Sequence, residues 1–73
     1  MSLSSRRYSP SRVRELREAA GMTVEQLADA MGMRVWTVVN YQYADRVTPP
    51  TRVLPRLADA LGVTIDELFE DAS

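Results

Sequence analysis

Nine consecutive residues, Val35-Trp36-Thr37-Val38-Val39-Asn40-Tyr41-Gln42-Tyr43, hold the most informative chemistry in the chain. The run is apolar nearly all the way round, with carboxamides at Asn40 and Gln42. Wound as a helix, it sets Trp36, Val39, Asn40 and Tyr43 at i, i+3, i+4 and i+7, on one stripe. An exposed stripe of that kind normally has something covering it. Three readings stand. In a DNA major groove, Asn40 would read an adenine edge while Trp36, Val39 and Tyr43 meet thymine methyls and sugars. Against a protein, Trp36, Val39 and Tyr43 would be the anchors of a partner or dimer surface. With the helix rotated, Trp36 would simply be core.

Catalysis finds little to work with. The chain has no His and no Cys, which removes the usual general base, thiolate nucleophile and zinc-thiolate ligands. There is no Gly-rich phosphate loop, and no Ser has a plausible base. Met31 and Met33 read as core fillers. The chain is expected to be no enzyme and to need neither metal nor cofactor. No apolar run approaches the ~18 residues of a membrane span, and the N-terminus lacks a secretory apolar segment. The expected location is the cytoplasm.

The net charge of −1 argues weakly against nucleic acid, but its distribution does not. Residues 1–17 carry five Arg against one Glu, a net +4, and residues 34–56 carry four Arg against one Asp, a net +3. Residues 18–33 sum to −3 and residues 57–73 to −5. An acidic chain can still present a basic face. Every basic residue is Arg, the better fork for phosphate or a guanine edge; codon bias explains that choice as well.

The elements that must hold these residues are marked by local signals. With 73 residues the chain is one small domain near the lower limit for an unstapled core. Gly21-Met22-Thr23, Gly32-Met33-Arg34 and Gly62-Val63-Thr64 repeat one pattern: a helix-ending Gly, an apolar residue, then a start position. Thr23 with Gln26 and Thr64 with Glu67 form capping boxes, and Ser9-Pro10 is a third start. Five helices follow, over roughly 10–20, 24–31, 35–44, 52–61 and 65–71. Asp45 to Pro50 is a loop, and Pro55 must fall in the first turn of the fourth helix. No strand pattern is visible. Residues 1–8 read as a flexible basic arm, and residues 9–73 as the folded domain. The fold class is all-α, a compact five-helix domain.

A tight Gly turn between the second and third helices makes them cross steeply, so one can lie over a phosphate backbone while the other enters the groove. Here the chain resembles the repressor/Cro helix-turn-helix family, of the xenobiotic-response-element type, with the lambda-repressor-like fold. The matching residues are Leu16-Arg17-Glu18, Gly21-Met22-Thr23, Leu27-Ala28 with Met31-Gly32, Thr37-Val38, Pro49, Leu57 to Val63, and Thr64-Ile65-Asp66-Glu67-Leu68-Phe69. The resemblance implies a transcriptional repressor or Cro-like regulator, of phage type, that binds a palindromic double-stranded DNA operator as a homodimer. It implies base contacts from Arg34, Val35, Trp36 and Asn40. Phosphate contacts would come from Thr23, Thr37 and Arg46, with Arg12, Arg6 and Arg7 further candidates. Val38 and Tyr41 would face the core.

The chain departs from the family pattern in three places. Val24 stands where the family has a phosphate-gripping Gln. Arg34 replaces a Ser or Thr cap. Arg17 faces Gln42 where the family pairs Arg with Glu, which leaves a hydrogen bond in place of an ion pair. Arg14 reads as part of a solvated face, and Phe69 as core closure or a dimer anchor. These departures keep open a different class: a protein-interaction module, antitoxin- or anti-repressor-like, that holds a partner on Trp36, Val39 and Tyr43.

Overall fold

Local capping decides where the helices begin and end. The computed structural model describes residues 6–44 and 47–71. Strand β1 (Arg6–Tyr8) leads into helix α1 (Pro10–Ala19), α2 (Val24–Met31) and α3 (Val35–Tyr43). A 3-10 turn, Thr51–Val53, runs into α4 (Leu54–Leu61); a second 3-10 turn, Ile65–Leu68, leads to strand β2 (Phe69–Asp71). Ser9 caps α1, its hydroxyl accepting from the Arg12 amide at 3.2 Å, with Pro10 in the first turn. The Thr23–Gln26 box starts α2: the Gln26 amide donates to Thr23 Oγ1 at 3.0 Å and the Thr23 amide to Gln26 Oε1 at 2.8 Å. Pro55 lies in the first turn of α4, where its missing N–H costs nothing.

Gly32 and Gly62 end α2 and α4 in the left-handed region, at φ 66° and 73°. The Met33 amide then reaches back to the Ala28 carbonyl and the Val63 amide to the Ala58 carbonyl, each at 3.0 Å. A Cβ at either glycine would meet nothing within 4 Å, so backbone conformation alone demands glycine there.

The all-α expectation is corrected at both ends of the chain. The fifth helix expected over 65–71 is a single 3-10 turn. The capping box forms, with the Thr64 amide donating to Glu67 Oε2 at 2.9 Å, but the chain extends after Leu68. The reason is a competing partner: the Leu68 carbonyl accepts from the Ser9 amide at 2.9 Å. That bond draws Phe69–Asp71 alongside Arg6–Tyr8 as an antiparallel pair, with Arg6 opposite Asp71, Arg7 opposite Glu70 and Tyr8 opposite Phe69. Three residues of the segment expected to be a flexible arm are therefore a strand; the first five lie outside the described residues.

One core joins α1 to α4 and the ribbon. Val13, Leu27, Val38, Leu57 and Leu68 are fully enclosed, and Tyr8 closes the ribbon side at 7 % exposure. Phe69 is partly buried against this cluster, edge-to-face with Tyr8 at 6.2 Å between ring centres, as the core-closure reading expects. Among the described residues, no helix is long and apolar enough to cross a membrane.

The packing sets a contrast between two apolar residues. Leu57→Ala, at a site with no exposure, should cost about 2–5 kcal/mol of unfolding free energy. Ile65→Ala, 40 % exposed, should cost far less, about 1 kcal/mol or below. Urea titrations followed by circular dichroism check both, and equal losses would contradict the burial described.

Candidate nucleic-acid interface

α3 is apolar on most sides, yet only one side is buried. Val38, Tyr41 and Gln42 point inward, and Gln42 is a fully enclosed polar side chain. A buried carboxamide must have partners, and it has two. Its Nε2 donates to the Val38 carbonyl at 3.1 Å, and its Oε1 accepts from Arg17 Nε at 2.7 Å. Arg17 Nη1 also donates to the Met22 carbonyl at 2.7 Å, so one guanidinium ties α1 to α3 and to the turn before α2. The hydrogen bond expected in place of the family's ion pair is present.

With that side buried, the opposite side is presented. Trp36 is 63 % exposed and Tyr43 55 %, while Val35 is 40 % exposed. Val39 and Asn40 are half-buried between them. Trp36 is not core, so the rotated-helix reading falls away. Arg34 sits exposed at the α3 start and makes no side-chain capping bond, because a guanidinium has no acceptor to offer the first helix amides. Thr37 is half-buried. Thr23, exposed at the α2 start, is committed through its hydroxyl to the capping box. Arg46 lies outside the described residues. Val24 is half-buried against the core, so an apolar residue there supports packing.

Three basic residues have partners that sequence reasoning missed. Arg14 is no solvated face: its guanidinium donates to the Gln42 carbonyl and stacks 4.8 Å from the centre of the Tyr43 ring. Arg6 pairs with Asp66. Arg12 Nε donates to the Glu67 carbonyl at 2.8 Å. Tyr8 was also missed. Its hydroxyl donates to the Tyr41 carbonyl of α3 at 2.7 Å in a buried setting. An aromatic residue just ahead of the Ser9-Pro10 start was the one available hint.

The helix-turn-helix family model matches residues 13–68, from within α1 to the end of the second 3-10 turn. The chain belongs to the helix-turn-helix family. It is also similar in structure to the restriction-modification controller protein C.AhdI from Aeromonas hydrophila, at 32 % sequence identity and a TM-score of 0.74. That match covers 81 % of this chain and 88 % of the other. No curated protein matches the chain. Family and likeness together mark a DNA-binding transcription regulator.

Burial, and then the neighbouring Tyr41, push the Tyr8 phenol well above the ordinary value of 10.0. The fold thus favours the protonated phenol. Its stabilising share is complete below about pH 10 and is lost as pH rises beyond that value. Stability should therefore fall above about pH 10, and Tyr8→Phe should make that fall shallower. Unfolding midpoints measured across the alkaline range check this; an unchanged slope in the variant would contradict a buried, bonded phenol.

Proposed function

We propose that the protein is a sequence-specific regulator that binds a palindromic operator as a homodimer, with α3 of each copy in the major groove. The observation that carries this reading is the exposed side of α3, where Trp36 and Asn40 share a stripe that starts beside the exposed Arg34. Asn40 offers both a donor and an acceptor and so suits an adenine edge. Trp36 and Val35 would supply apolar contact to thymine methyls, and Arg34 a guanine edge or a phosphate. The α2 start at Thr23, together with Thr37 and Arg46, would position the domain on phosphates. Two subunits would meet half-sites one turn apart, about 34 Å, and occlude a promoter. The likeness to a restriction-modification controller supports a control role of that kind over a phage repressor.

A second reading is favoured by the size of the exposed aromatic surface. Trp36 and Tyr43 are both more than half exposed and could anchor a partner protein.

One experiment separates the two. Random-sequence duplex DNA is enriched on the purified protein, and the selected duplex is titrated by fluorescence anisotropy at several salt concentrations. Specific binding should survive excess poly(dI-dC) and weaken with salt at about −0.9 in log–log slope per phosphate contacted. Asn40→Ala should cost about 1–3 kcal/mol of discrimination at one base pair. Failure to enrich any sequence would turn the reading toward the partner surface on Trp36 and Tyr43.

A further inference from the structure

α3 gets little help from its own ends. Arg34 provides no capping side-chain bond, and the last turn contains no basic residue. The last carbonyls of a helix have no partner within it. Here the Asn40 carbonyl accepts from the Ala44 amide at 3.1 Å, and the next two are taken by side chains from far upstream. Tyr8 of β1 donates to the Tyr41 carbonyl, and Arg14 of α1 to the Gln42 carbonyl. Tyr8 is itself fixed, by its edge-to-face contact with Phe69 and by the pairing of β1 with β2. Arg14 also carries the exposed Tyr43 ring on its guanidinium.

We propose that Tyr8 and Arg14 are positioning residues for base readout, holding the C-terminal end of α3 at its angle in the groove from the β1–β2 ribbon and α1. The inference rests on the DNA reading of α3. The N-terminal end of α3 is already set by the tight turn at Gly32. The Arg17–Gln42 bond sets the rotation of α3 about its own axis; loss of the Tyr8 or Arg14 bond instead loosens its tilt about the Gly32 turn, with a displacement that grows from Val35 towards Asn40 and Tyr43. Hydrogen bonds to base edges depend steeply on angle and distance, so a small pivot degrades them. Phosphate contacts made by flexible side chains adapt more easily. The predicted signature is therefore weaker discrimination between sequences, with general affinity for DNA retained.

The variants are Tyr8→Phe, which keeps the ring against Phe69, and Arg14→Met, which keeps an apolar stem without the guanidinium. The full chain is used, with the duplex enriched by the wild type as specific probe and poly(dI-dC) as non-specific probe. The ratio of the two affinities is the readout. It is insensitive to the fraction of folded protein, so partial unfolding alone does not move it. The ratio should fall about tenfold in each single variant, the scale of a single base-edge interaction. The double variant should fall at least as far, and the salt slope should stay at the wild-type value because no phosphate ligand is removed. An unchanged ratio overturns the proposal. So does a uniform weakening on both probes with a shallower salt slope in Arg14→Met, which would make Arg14 a phosphate ligand. A wild type that enriches no sequence overturns the DNA reading first and the positioning role with it, and this is seen before any variant is made.

Discussion

The bond between Arg17 and Gln42 is the interaction on which the presented surface depends. The Gln42 carboxamide is withdrawn from water and the Arg17 guanidinium largely so, and such groups cost several kcal/mol if left unpaired. Pairing them at 2.7 Å is possible only with Gln42 on the inner side of α3. The nine residues of α3 are apolar enough that hydrophobicity alone would permit several rotations. The buried polar pair selects one. Once Gln42 is in, Val38 and Tyr41 follow it inward, and Trp36 and Tyr43 face out. Specification by a polar pair also explains how so apolar a helix can avoid sliding to a better-buried orientation.

The ribbon extends the same logic to the chain ends. β1 and β2 are three residues each, too short to be stable as an isolated pair. They hold because Tyr8 and Phe69 pack on the core, and because Arg6 meets Asp66 while Ser9 Oγ meets Glu70 at 3.0 Å. One ion pair, Arg6 with Asp66, thus joins the basic N-terminal segment to the acidic C-terminal one. The opposite charges of the two ends therefore have a structural role at Arg6 and Asp66.

The parts of the fold that are legible in the sequence are those set by contacts within a few residues. The Thr23–Gln26 and Thr64–Glu67 boxes, the Ser9-Pro10 start, the left-handed glycines and the place of Pro55 all depend on partners three to five positions away. The stripe on α3 is legible for the same reason. The ribbon is not, because its two strands lie more than sixty positions apart and three residues give no alternation to detect. The fifth helix fails with it: its cap is real, but the Leu68 carbonyl finds the Ser9 amide in place of a helical partner. The role of Arg14 escapes the sequence because its acceptor is a carbonyl at the end of another helix, and a backbone acceptor leaves no residue type to point to it.

The central claim is that the side of α3 bearing Trp36 and Asn40 is the surface that meets DNA. Amide chemical shifts of the isotope-labelled protein, followed while a selected duplex is added, test it most directly. The claim predicts that the largest shifts fall at Thr23 and along Arg34 to Asn40, with the β1–β2 ribbon changing little. Large shifts centred on the ribbon or on α4, with Arg34 to Asn40 unmoved, would contradict it.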